Sequence, residues 1–373
     1  MQRFFVILAV MLTIVRPSLS ISAQDTEKTY WWLLEQGKTF FRNGAYGQAL
    51  MAFEDAKRTR KAMFEQMEQD LIVVLSMRDV RRMHDSLDDV EQYIMRNRLD
   101  QAARALKELY YKTPRDSLGG SANNALKAID ALKSYPEAEY WLGETYRIEG
   151  ELVLAFKQYK KAYEQRANLE NPSFDVEILY KIVEVLKTRR EYTEMEDIAK
   201  EIVALDTLWQ GDSGVFTRNA MSRVLETDGI ARFLTIYRYD NVGVERIHRI
   251  LGFFYYASGR HGNALEHLMF SFLIQNTIIL NEIIRNNYGF EFTDIPALFR
   301  AAKGNSAIMD YMESTEYYKT VYYLGAAFYA TGKAGAARDF WLILRDVPEA
   351  GQWATRSASQ LQRPFIERAV ETP

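Results

Sequence analysis

Apolar residues along this chain keep fixed distances from paired glycines. Gly143 is followed seven residues later by Gly150 and twelve later by Ala155. The same intervals join Gly37, Gly44 and Ala49; Gly252, Gly259 and Ala264; and Gly325, Gly332 and Ala337. An aromatic stands three residues after each first glycine: Phe40, Tyr146, Tyr255 and Phe328. A large apolar residue stands four after each alanine: Phe53, Tyr159, Leu268 and Trp341. Leu142, Leu251 and Leu324 precede the first glycine, while Gln36 departs. Apolar positions three and four apart predict helices. A glycine inside a helix costs about 1 kcal/mol relative to alanine, which is recovered where a second helix packs close against it. The second glycine suits the left-handed residue that ends a helix. The pattern therefore predicts pairs of antiparallel helices.

Two weaker copies keep the periodicity without the glycines. One runs through Leu179, Ile182, Val183, Leu186, Tyr192, Met195, Ala199 and Ile202; the other through Val90, Tyr93, Leu99, Ala102, Leu106 and Leu109. No Gly or Pro occurs from Gln48 to Thr113, which predicts nearly continuous helix. Phe64, Met67, Leu71 and Val74 alternate in threes and fours like a coiled-coil seam. That seam suits either self-association through residues 60–78 or a buried helix face. Pro114 to Ser121 reads as the clearest loop, with shorter breaks at 171–173 and 211–214. No strand pattern survives, so the expected class is all-α.

The glycine, aromatic and alanine spacings resemble the tetratricopeptide repeat (TPR), whose pattern is W-x2-L-G-x2-Y, then A-x3-F, then P. Pro136 and Pro348 supply the proline near a helix start. The family's Trp position departs: it holds Leu33, Glu139, His248 and Val321. The resemblance implies a superhelical solenoid of helical hairpins. The expected segments are 1–23 as a leader, 29–115 as an N-terminal TPR-like region, and 122–208 as central repeats. A third repeat block follows at 213–277, a helical interruption at 278–316, and a last repeat with a polar capping helix at 317–373, the helix over 350–369.

The resemblance also implies that the first helix of each hairpin lines a concave face. Three residues before the first glycine stand Leu34, Tyr140, Arg249 and Tyr322, with Tyr180 in the weak copy. Four after it stand Phe41, Arg147, Tyr256 and Tyr329, with Lys187 in the weak copy. Tyrosine and arginine are enriched where proteins bind one another. These residues either form an exposed binding surface or lie covered as core. The family's carboxylate clamp needs an Asn one residue after the first glycine. This chain has Lys38, Glu144, Phe253 and Ala326 there, so that activity is not implied.

The first residues change the picture. Arg3 precedes the apolar run Phe4 to Val15, which is shorter than the ~20 residues of a spanning helix. Ser18-Leu19-Ser20 and Ile21-Ser22-Ala23 offer small residues for cleavage, as in a secretory signal peptide. Cleavage would remove Arg3 and Arg16 and no acid, taking the net charge from −3 to −5 (−3 − 2). With no cysteine there are no disulfides and no lipid-anchoring thiol. The expected location is periplasmic or secreted, with no further membrane span. Without a basic excess, nucleic acid is not expected as a partner.

Catalytic motifs are absent. His84, His248, His261 and His267 make no zinc-ligand spacing. Gly119-Gly120 lacks a following Lys-Ser/Thr for phosphate, and no Gly-x-Ser-x-Gly occurs. The expectation is a non-enzyme without metal or cofactor that binds a protein partner or extended segment on its concave face. The alternative is a small-ligand or transporter-associated subunit with a pocket beside residues 278–316.

Overall fold

A computed structural model describes residues 29–77, 84–96, 98, 101, 102, 105, 119–206 and 208–367. The leader segment and the loop at 114–118 lie outside these residues. All regular structure among the described residues is helical. The chain forms two compact units, one up to Val185 and one from Leu186.

The first unit contains α1 (Tyr30–Arg42), α2 (Tyr46–Met77), α3 (His84–Met95), α4 (Gly119–Leu132), α5 (Pro136–Ile148) and α6 (Leu152–Glu164). The unit boundary passes through α7 (Phe174–Arg189). The second unit continues with α8 (Tyr192–Val203), α9 (Gly211–Thr227), α10 (Gly229–Ile236), α11 (Val242–Ala257) and α12 (His261–Asn286). It ends with α13 (Ile295–Ala302), α14 (Ser306–Ser314), α15 (Tyr317–Ala330), α16 (Ala334–Arg345) and α17 (Gln352–Gln362).

The glycine register is a packing register. A Cβ on Gly143 would lie 2.7 Å from the Tyr159 ring, one on Gly252 2.6 Å from Leu268, and one on Gly325 3.0 Å from Trp341. Each first glycine thus admits the bulky residue of its own partner helix, and the Gly37–Phe53 pair repeats the arrangement. The second glycines Gly44, Gly150, Gly259 and Gly332 all have φ between 75° and 83°. Each closes its helix by the same two hydrogen bonds, as Gly150 N to Arg147 O and Glu151 N to Tyr146 O show. This is the Schellman arrangement, which satisfies carbonyls left over at a helix end.

The weak copy ends α7 in the same way without a glycine. Arg190 has φ 62°, with Arg190 N bonded to Lys187 O and Glu191 N to Leu186 O. A left-handed residue with a Cβ costs about 1–2 kcal/mol. Arg190→Gly is therefore expected to stabilise the chain by about 1 kcal/mol, after the loss to glycine's freedom in the unfolded state. Urea unfolding measures this; a lower midpoint would contradict it.

Part of the coiled-coil-like seam is buried inside the first unit, and the Val74 side chain lies outside the described residues. Phe64 and Leu71 pack with Val90, Ile94, Ala102, Ala125 and Ile129 from α3, α4 and the segment between them. Arg60 is buried among aromatic rings, 4.5 Å from the Tyr135 centroid and 5.2 Å from Tyr30, and donates to Leu132 O at 2.9 Å.

Two expectations need correction. The break at 211–214 is the first turn of α9, with Gly211 at φ 67°. The expected C-terminal helix stops at Gln362; Arg363 is extended, and residues 364–367 form no helix. Pro364 has no N–H to continue it and disfavours helical backbone at Arg363. By length and composition α12 is also apolar enough to cross a membrane, contrary to expectation. Here it is a core helix, 78% buried in its most apolar window. Several of its polar side chains bond inside the unit: Ser271 and Gln275 donate to Glu245, and Asn276 to Phe272 O. Asp294 caps the start of α13, its carboxylate accepting from Ala297 N at 2.7 Å.

Candidate functional site

In the second unit, α11 and α15 bring Arg249, Phe253 and Tyr256 beside Lys319, Tyr322 and Tyr323. Phe253 and Tyr256 each meet the Tyr323 ring edge-on, with centroids 5.6 and 5.1 Å apart. The Lys319 ammonium lies 4.5 Å from the Phe253 centroid. A cation-rich end thus adjoins an aromatic shelf.

At the cationic end, Arg249 bonds both Glu245, at 3.2 Å, and Glu316. Lys319 donates to Glu316 at 3.0 Å. Lys187 on α7 lies within the fields of Glu316, Lys319 and Arg249. Burial depresses the Lys187 pKa, Glu316 opposes the fall, and the two neighbouring cations add to it. Arg249 and Lys319 therefore share two carboxylates, Glu245 and Glu316. Burial alone would raise the Glu316 pKa, but Lys319, Arg249 and Lys187 together hold it low. Glu316 has φ 49°, a left-handed conformation that costs energy for a residue with a Cβ and recurs at ligand sites.

The aromatic end is already occupied by the chain itself. Tyr322 donates its hydroxyl to Glu367, and Arg356 bonds the other oxygen of that carboxylate at 2.6 Å. Arg356 lies over Trp353 and Tyr322, 4.7 and 5.0 Å from their centroids. Gln360 donates to Phe365 O and accepts from Phe365 N, fixing the backbone there. Tyr329 reaches Pro364 O at 3.4 Å. The Tyr256 pKa is raised by burial first and then by the Glu367 charge.

Five of the ten inner positions are core: Leu34, Tyr140, Tyr180, Tyr256 and Tyr322 are buried. Phe41, Arg147, Lys187, Arg249 and Tyr329 keep partial exposure. Of the two readings, the covered one describes these five residues, which line a core with cationic and aromatic edges. The tyrosines are covered because neighbouring helices and residues 363–367 lie over them. In the first unit Tyr140 packs 4.7 Å from Phe174, and Arg147 pairs with Glu144 at 2.9 Å. Phe41 meets Trp141 at 5.4 Å.

A second polar cluster escaped the sequence reading. His248 on α11 and His267 on α12 place their Nδ1 atoms 2.9 Å apart inside the second unit. Trp209 lies against both rings, with centroids 4.7 and 4.6 Å away. Buried Asp206 accepts from Tyr239 at 2.5 Å and from Leu208 N at 2.9 Å. Its other oxygen faces His248 Nε2 at 3.9 Å. The anion favours a proton on that Nε2, so neutral His248 accepts at Nδ1 from His267. No group of three metal-ligating residues occurs among the described residues.

A groove of about 300 Å³ lies between α13, α14 and the α15–α16 hairpin. Phe299, Met309, Met312, Leu342 and Ile343 line it. Lys303 and Glu349, also lining residues, pair at 2.5 Å.

The chain is thus an all-α protein of packed helical hairpins. An uncharacterized protein of Treponema pallidum is 21% identical to it over 333 residues, 89% of each chain. An uncharacterized protein of Borreliella burgdorferi is 22% identical over 272 residues, covering 65% of this chain and 84% of its own. No family model and no solved structure matches the chain.

Proposed function

We propose that the protein is a non-catalytic, exported scaffold of the TPR kind that holds an extended segment of a partner protein along α11 and α15. The observation that carries this reading is the occupancy of that face by residues 363–367 of the same chain. A non-helical segment is held there by side chains on Glu367 and by backbone bonds from Gln360. Such a surface suits recognition of irregular chain by a helical array, because the helices leave no free backbone groups and side chains make the contacts. The leader-like N-terminus supports export to the periplasm.

Site-specific photocrosslinking tests the reading. A benzoylphenylalanine at position 329 or 187, both partly exposed, is expected to give discrete adducts with another protein in the native envelope. Adducts confined to the chain itself at both positions would overturn it. The apolar groove beside α13 and α14 favours the second reading, a small apolar ligand. In that case ligand carried through purification appears in native mass spectrometry and is lost in Met309→Arg.

A further inference from the structure

We propose, on the reading just given, that the face recognises a partner segment by one carboxylate and by the backbone two residues before it, and that residues 363–367 are its tethered competitor.

Helices alone build the receptor. Tyr322 and Tyr323 stand on α15, and Trp353, Arg356 and Gln360 on α17. The Arg356 guanidinium lies among the rings of Trp353, Tyr322 and Tyr323, 4.7, 5.0 and 5.8 Å from their centroids. Gln360 is fully buried and donates from Nε2 to the Tyr322 oxygen at 3.3 Å. The Tyr322 hydroxyl thereby keeps its own proton for the group lying on it. Tyr322 and Arg356 thus present one donor to each oxygen of Glu367. A carboxylate offers an acceptor to both, whereas an amide must turn its NH2 toward one of the two donors.

The spacing follows from the fixed points. Gln360 accepts from Phe365 N at 2.9 Å and donates to Phe365 O at 3.1 Å, and the carboxylate sits two residues later. The side chains between are not read: Phe365 and Ile366 are 52% and 46% exposed, and Arg363 and Pro364 are exposed too. Of residues 363–367 only Glu367 is buried. The face therefore selects a backbone N–H and C=O followed at that interval by an acid, whatever the side chains before it. Residues 363–367 bury no apolar side chain and owe their place to the tether, which acts as a local concentration of roughly millimolar order.

The test uses the full chain with Glu367→Gln, which weakens the competitor, and the peptide RPFIERA capped at both ends. Titration followed by peptide NMR is expected to show saturable binding, about tenfold tighter than to the natural chain. Changing the peptide's Glu to Gln is expected to weaken binding about tenfold. An ester in place of the amide at its Phe removes only the N–H that Gln360 uses and is expected to weaken binding severalfold. Gln360→Leu in the protein is expected to erase that ester effect. Alanine for the peptide's Phe or Ile is expected to change binding by less than about twofold. Equal binding to the natural chain, indifference to the Glu-to-Gln or ester change, loss on alanine, or no binding at millimolar peptide would each overturn the proposal. Photocrosslinks to a partner protein that persist while the peptide ignores its acid would leave the scaffold reading standing and remove this one.

Discussion

Lowering the pH below about 6.5 is expected to destabilise the protein steeply, through His248 and His267. Both rings are buried, and both pKa values lie below the ordinary 6.5. For His248 the cause is burial, partly opposed by Asp206. For His267 it is burial, reinforced by His248, Arg218 and Lys200. In the unfolded chain both titrate near 6.5, so below that pH the unfolded state binds more protons. Stability is fully present above that value and falls as pH falls, by up to about 2.7 kcal/mol per pH unit for two protons. The loss levels off only where the folded histidines themselves take up protons. Carboxylates enter later: Asp206 is held low by its hydrogen bonds despite burial, and Glu196 sits at about 2, held first by Arg260. Glu137, which burial pushes up, contributes in the opposite sense from the low end of the pH 7 to 5 window, so the histidines are isolated by comparing two proteins that share it. Urea unfolding across that window is expected to show the slope in the natural chain and little of it in His248→Phe/His267→Leu. The residue left is that of His261, whose pKa burial also lowers. An equal slope in both proteins would refute the assignment.

The hairpins were legible because glycine, aromatic, alanine and bulky residue stand at distances fixed by helix geometry. Gly143 and Tyr159 announce one contact from two sides, and so do Gly252 and Leu268. Arg190 was not legible, because a left-handed residue with a side chain leaves no compositional mark. The histidine pair was missed for a different reason. His248 occupies the register that Leu33 and Val321 fill elsewhere, and His267 the one before the bulky Leu268. These registers meet across a hairpin, so a polar residue in both was the available signal. The candidate site was legible only as positions. Whether Tyr256 and Tyr322 face solvent depends on residues 363–367, and nothing in the local pattern places a non-helical segment over them.

Tyr322→Ala is expected to cost about 4 kcal/mol, within the usual range for removing a buried aromatic. The ring is fully buried and packs at 5.3 Å against both Tyr323 and Trp353. Its loss leaves a cavity between α15 and α17 and removes the surface on which Arg356 lies. Tyr322→Phe separates packing from anchoring, because it keeps the ring and deletes only the hydroxyl that Glu367 and Gln360 use. Its expected cost is about 1.5–3 kcal/mol, the range for a hydrogen bond to a charged group. Glu367 stays paired with Arg356 in that variant, so the double change Tyr322→Phe/Glu367→Gln is expected to be less than additive. Strict additivity in urea unfolding would mean that the hydroxyl does not hold the carboxylate. The segment would then rest on Gln360 and Arg356 alone, and the aromatic shelf would serve the core without selecting what lies on it.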